Sequence, residues 1–328
     1  MRRVSLLTIG DVHICDHSPG RRTDGYKEAI IAKLEECLQI AKDKKCTHVL
    51  FLGDIFHIKA ANRVSHRLVQ EVGDILRRFG IPVIILVGNH DITDGSLETL
   101  EKQPLGVLRF IPNVTLLETL PVALDDDIDI YPVPGTSPFT MDDFKVQGKN
   151  KRDIMAVHQS IVPDIKTENE MLRDILHDAA VVAEQTNINI VLYGHQHRTD
   201  GLYQRARQDG SKVVFSNLGS ICRLTINDDD VYKKPAVLVL DILDDVDRTV
   251  TPEIIMLNNV IAPKDAYKLE DHQEEKDRSK DIDDIIRKLN ETEVASFSID
   301  GVITEVENRQ DIDKPVKDAA LRLLEEVR

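Results

Sequence analysis

Aspartate, asparagine and histidine recur in five short clusters of this chain. They are Asp11-Val12-His13, Gly53-Asp54-Ile55-Phe56-His57, Gly88-Asn89-His90-Asp91, Val157-His158 and Gly194-His195-Gln196-His197. Six of the 11 histidines lie in them. Oxygen and imidazole donors without thiolate suit manganese, iron or zinc rather than a structural zinc cluster. Asp11, His13, Asp54, Asn89, His158, His195 and His197 are too many groups for one ion. Two ions sharing one bridging carboxylate would each take about four of them. Two cations about 3.5–4 Å apart can clamp a phosphoryl group and activate water near neutral pH. Gly53, Gly88 and Gly194 let the backbone turn sharply beside these donors and let a phosphate come close.

Each cluster follows a short apolar run. The runs are Val4–Ile9, Val49–Leu52, Val83–Val87, Ile154–Val157 and Ile188–Tyr193, with Val213–Ser216 as a sixth. Their length and β-branched content predict buried strands. Amphipathic segments alternate with them: Asp24–Lys45 (Ile30, Leu34, Cys37 and Ala41 on one face), Ser65–Phe79 (Leu68, Val72, Ile75, Phe79) and Glu168–Gln185. Alternating strands and helices predict a layered α/β core, and ligands in such sheets gather beyond the carboxyl ends of the strands. Ala236–Ile242 and Ile254–Leu257 read as later strands closing a second sheet.

The chain has 328 residues, 41% hydrophobic and 30% charged, which excludes wholesale disorder. No apolar run reaches about 18 residues, so no membrane-spanning helix is expected. Cys15, Cys37, Cys46 and Cys222 show no CxxC pairing, which fits a reducing, cytoplasmic setting. The net charge of −15 argues against a protein that coats nucleic acid with basic residues. It leaves room for one that grips phosphate through metal ions and a few local cations. Residues 265–328 hold 19 acidic and 11 basic residues, so the charge is concentrated there. We read 1–262 as the main domain, 263–280 as a charged linker and 281–328 as a small α/β domain. Its pieces are Ile282, Ile285, Ile286 and Leu289 at helical spacing, alternating Ala295, Phe297 and Ile299, and a final helix opened by Pro315.

The five blocks, in order over Asp11–His197, resemble the calcineurin-like metallophosphoesterase superfamily: DxH, GDxxH, GNHD, an isolated His, then GHxH. The resemblance implies a four-layer α/β/β/α sandwich and two divalent metal ions, with manganese the expected metal. It implies that Asp11, His13 and His197 hold one metal, Asn89, His158 and His195 the other, and that Asp54 bridges them. His90 matches the histidine that protonates the leaving oxygen, and Asp91 is expected to orient it. Gly-Asp-Ile-Phe-His lacks the arginine of the protein phosphatases' GDxVDRG block and is similar to SbcD-type DNA repair nucleases, where His57 would act near the scissile phosphate. Gly219-Ser220-Ile221-Cys222-Arg223 is similar to a turn of those nucleases, with Ser220 and Arg223 as expected phosphate contacts. Arg21, Arg22, Lys59, Arg63 and Arg198 lie in loops after the metal motifs and are expected to form a positive rim.

The family's capping domain would correspond to the C-terminal segment, and its compact size is similar to phage-encoded members. The partners implied are DNA, an SMC-like SbcC-type ATPase and a second copy, pairing through the Asp24–Lys45 and Ser65–Phe79 helices. The expected activity is a metal-dependent DNA exonuclease or endonuclease of repair, recombination or replication. Two rivals share the site: a small-molecule phosphodiesterase or phosphatase, and a non-enzymatic scaffold whose metals are structural.

Overall fold

The computed structural model describes residues 2–267 except 20–21, 23–24, 59–62, 151, 226–227 and 244–248, together with 314 and 317. The chain divides into two compact units, 1–271 and 272–328. Apart from Lys314 and Lys317, which are helical, the residues read as a capping domain at 281–328 lie outside the described residues.

Among the described residues fourteen strands follow in chain order: β1 Arg2–Ile9, β2 His48–Phe51, β3 Val83–Leu86, β4 Val114–Leu117, β5 Val122–Asp125, β6 Ile128–Val133, β7 Ile154–Val157, β8 Ile161–Val162, β9 His177–Asp178, β10 Ile190–Tyr193, β11 Gly201–Ala206, β12 Lys212–Asn217, β13 Ala236–Leu243 and β14 Val250–Met256. They build one six-stranded sheet, β14-β13-β1-β2-β3-β4, a second, β11-β12-β10-β7-β6-β5, and the small pair β8-β9. The helices are α1 Tyr26–Asp43, α2 His66–Arg78, α3 Pro104–Leu108, α4 Ala179–Gln185, α5 Asp228–Val231 and α6 Pro263–Ala266.

The two-residue alternation of each strand sorts the core into layers. Leu6, Leu50 and Ile84 of the first sheet meet Ile130, Ile154 and Ile190 of the second in one apolar interior. Their neighbours Leu7, Phe51 and Ile85 face the other way, onto Ile30, Leu34, Leu68 and Val72 of α1 and α2. On the far side Met155, Val191 and Phe215 pack on Ala179 and Val182 of α4. The result is the α/β/β/α sandwich, and it explains why the central strands read as unbroken apolar runs: both of their faces are covered. Ser65 caps α2, its Oγ accepting the Leu68 N–H at 3.1 Å.

Three sequence expectations change. β13 and β14 join the first sheet, not the second, because β13 pairs antiparallel with β1 along Val4–Thr8. The helix expected over Glu168–Gln185 is confined to Ala179–Gln185. Asp178 caps it, its carboxylate accepting the Ala180 N–H at 2.8 Å, while Ile165–Thr167 and Glu170–Ile175 are 3-10 turns. At the start of the segment read as a linker, α6 is folded and Tyr267 is 2% exposed, so packing extends through that residue. No helix among the described residues is long and apolar enough to cross a membrane.

Candidate metal centre

The donor clusters follow the carboxyl ends of strands from both sheets. Asp11 and His13 follow β1, Asp54 follows β2, and Asn89 and His90 follow β3. His158 follows β7, and His195 and His197 follow β10. Backbone pairing zips the first two loops together: the His13 N–H donates to the Asp54 carbonyl at 2.9 Å, and the His57 N–H to the Ile14 carbonyl at 3.0 Å. His13, Asp54 and His195 have φ values of 48°, 50° and 76°, the left-handed region. These turns swing consecutive side chains toward one point at the edge of the two sheets. Gly88 is required by closeness, since a Cβ there would lie 2.2 Å from Asp54 Oδ1.

Two sets of donors converge. Asp11, His13 and His197 form one, with His13 Nε2 and His197 Nε2 2.9 Å apart and Asp11 Oδ2 3.5 Å from His197 Nε2. Asp54, His158 and His195 form the other, and Asn89 Oδ1 sits 3.0 Å from both His158 Nε2 and His195 Nδ1. Asp54 Oδ2 stands between the sets, 3.4 Å from His13 Nε2 and 3.3 Å from His158 Nε2. Imidazole nitrogens and carboxylate oxygens crowd one another here, an arrangement that fits two divalent cations bridged by one carboxylate.

The surroundings fix several rings. His158 Nδ1 donates to the Leu52 carbonyl at 2.6 Å, which leaves Nε2 free as a donor to metal. The His195 N–H donates to the Asp11 carboxylate at 3.0 Å. Burial opposes ionisation of Asp54, but His158 and His13 beside it outweigh burial and hold its carboxyl well below the usual range. Burial pushes Asp11 up, and pushes His13 well down and His195 down to about 4, so both rings favour the neutral, ligating form.

His57 and His90 flank the first set. Their rings are near-parallel with centroids 5.7 Å apart, and each is edge-on to His13, at 5.5 and 4.7 Å. His90 Nδ1 donates to the His57 carbonyl at 2.7 Å, so its Nε2 is the atom available for proton transfer. Asp91 does not orient the His90 ring. Its carboxylate accepts the N–H groups of Gly88, Asp54 and Ile55 at 3.0, 2.9 and 3.1 Å and ties two donor loops together. Burial, with the Asp54 charge nearby, pushes Asp91 up to about 8.

The expected positive rim is largely elsewhere. Arg22 is buried, its guanidinium 5.1 and 5.0 Å from the Tyr26 and Tyr267 rings. Arg223 is 2% exposed and donates to the Val231 carbonyl at 2.9 Å and to the Ile261 carbonyl. Ser220 is fully buried, its Oγ donating to the Cys222 carbonyl. Arg198 is committed to Glu168, with Nη1 2.9 Å from Oε2, and to Asp200 at 3.1 Å. For Arg22 and Arg223 the difference arises because sequence cannot separate a loop cation at the surface from one that ties loops together inside. Arg63 is exposed, and Arg21 and Lys59 lie outside the described residues. Lys233 and Asp230 were missed, since single charges in a charged loop give no signal.

A sandwich with two convergent sets of oxygen and imidazole donors defines a metal-dependent phosphoesterase. Residues 4–199 match the calcineurin-like phosphoesterase family, and the chain belongs to it. It is 26% identical over 240 residues to the DNA double-strand break repair protein Mre11 of Methanococcus maripaludis, a match spanning 68% of this chain and 60% of that protein. It is 25% identical over 202 residues to the 3',5'-cyclic adenosine monophosphate phosphodiesterase CpdA of Haemophilus influenzae, spanning 60% of this chain and 70% of that protein. A dimetal phosphatase structure from Danio rerio shares the fold, with a TM-score of 0.50 and 11% identity over 79% of this chain and 98% of that one.

Proposed function

We propose that the protein is a two-metal DNA nuclease that hydrolyses phosphodiester bonds. The observation that carries this reading is the pair of imidazoles, His57 and His90, beside the first donor set, with no guanidinium among Arg22, Arg198 and Arg223 turned to it. A phosphate monoester carries two charges and is served by an arginine fork; a diester carries one and is served without it, its leaving oxygen taking a proton as a monoester's also does. The match to Mre11 supports DNA as the diester, and with it manganese as the metal and a role in DNA repair.

Asp11, His13 and His197 would hold one cation, Asn89, His158 and His195 the second, with Asp54 shared. When bound, the cations supply Lewis acidity and a water of lowered pKa. With both ring nitrogens protonated, His90 would give the Nε2 proton to the departing sugar oxygen and keep the Nδ1 proton on the His57 carbonyl, which holds the ring in line. The His57 ring, parallel to it, contacts a non-bridging phosphoryl oxygen. Of the expected phosphate contacts, this reading retains Arg63, which is exposed, for the DNA backbone, with Arg21 and Lys59 as sequence expectations. An SMC-like ATPase, and a second copy of the chain, complete this reading as partners.

A cyclic-nucleotide phosphodiesterase is the second reading, favoured by the match to CpdA. The test is manganese-dependent degradation of end-labelled duplex DNA by wild type and His90→Ala, with cyclic AMP and bis-p-nitrophenyl phosphate alongside. We expect DNA cutting that falls about 10²–10⁴-fold in His90→Ala with metal content unchanged. Turnover of cyclic AMP with intact DNA would replace the nuclease by the second reading.

A further inference from the structure

We propose that Lys233 is a positioning residue for the cation site formed by Asp11, His13 and His197, acting through the backbone of His197. The inference rests on the two-metal reading above. His158 and His90 each have one ring nitrogen tied to a carbonyl, which sets the direction of the other. His197 differs: its side chain is 30% exposed, and among the described residues no hydrogen bond reaches its Nδ1. Its ring is therefore placed by its main chain together with the edge-on contact to His13, ring centroids 4.7 Å apart. The His197 carbonyl accepts the Ser220 N–H at 3.3 Å and Lys233 Nζ at 3.3 Å.

Lys233 is itself held. Its side chain is 3% exposed, and Nζ lies 2.7 Å from Asp230 Oδ1 and 2.6 Å from Ser220 Oγ. The other Asp230 oxygen accepts the N–H groups of Leu224 and Thr225 at 3.1 and 2.8 Å. The ammonium thus locks the turn 219–225 against the His197 loop. The same turn grips the opposite side of the site, where the Ile221 N–H donates to the Asp11 carbonyl at 3.0 Å. Contact is close on both sides. A Cβ on Gly219 would lie 2.4 Å from the His197 carbonyl oxygen, and one on Gly10 would lie 2.1 Å from the Gly219 oxygen. The other set has anchors of its own, in the bonds from His158 to Leu52 and from the Gly194 N–H to the Val157 carbonyl, and meets the first through the His195 N–H on Asp11 and the shared Asp54. The Lys233 contact itself reaches only the His197 side, so the larger effect falls on that cation.

Calorimetric titration with Mn²⁺, followed by electron paramagnetic resonance, tests this on wild type and Lys233→Met. The double variant Lys233→Met/Asp230→Asn removes both charges and leaves no unpaired buried carboxylate. His197→Ala and Asn89→Ala identify which binding event belongs to which site. We expect two events in wild type. In both Lys233 variants the event that His197→Ala removes should weaken about 10–100-fold, as for loss of an outer-shell partner, while the other stays within about threefold. Two unchanged events, or two events weakened alike, would overturn the clamp. Uptake of fewer than two Mn²⁺ by wild type would instead overturn the two-metal reading.

Discussion

Three backbone N–H groups, from Gly88, Asp54 and Ile55, converge on the Asp91 carboxylate, which is 2% exposed. One side chain thus fixes the spacing between the loop that carries Asp54 and the loop that carries Asn89 and His90. Removing it leaves three buried donors without an acceptor, at roughly 1–3 kcal/mol each. Asp91→Ala should therefore lose at least about 3 kcal/mol in urea unfolding and, unlike His90→Ala, should also lose bound metal. Full metal occupancy in Asp91→Ala would show that the loops hold their spacing without it.

Helix α1 carries a group that works against the fold. Lys33 lies among buried residues and is 2% exposed, and burial pulls its amine down to about 8 from an ordinary 10.5. The unfolded chain binds this proton more tightly, so wild-type stability rises with pH between about 8 and 10.5 and carries the full penalty below 8. Lys33→Met should be more stable at pH 7, by on the order of 3 kcal/mol, with the gain shrinking towards pH 10.5. An equal gain at pH 7 and pH 10 in urea titrations would refute this assignment. Lys33 falls three residues after Ile30 and four before Cys37, on the apolar stripe, yet its charge argues for the surface, which marks what sequence reading could reach. The strands ahead of the donor clusters were legible because both their faces are apolar and a polar block follows each. The partner of β13 was not, because an apolar run does not say which sheet it joins. The 3-10 turns after Glu168 were hidden too: Met171 and Ile175 fit a helical spacing but are 78% and 64% exposed. The seven donors could be found by type and order, whereas the burial of Arg22, Ser220 and Arg223 depends on contacts made far along the chain.

At the scale of the molecule, the donors come from two sheets. The first supplies Asp11, His13, Asp54 and Asn89; the second supplies His158, His195 and His197. Cations bound between them would staple the layers of the sandwich at one edge, and binding to the folded state alone raises stability by mass action. Free Mn²⁺ at 1,000 times its dissociation constant should add about 4 kcal/mol, seen as a higher Tm that a chelator reverses. A Tm indifferent to both would mean that the sheets are held without the metals. The left-handed turns at His13, Asp54 and His195 have a consequence on a longer timescale. Ordinary side chains adopt that backbone at a cost, which glycine largely avoids. The chain is thus kept slightly off its most stable sequence at the points where its chemistry resides. In a lineage freed from that chemistry, mutation under selection for folding alone would wear away these three positions early, and glycine at 13, 54 or 195 would be the fossil of a lost activity.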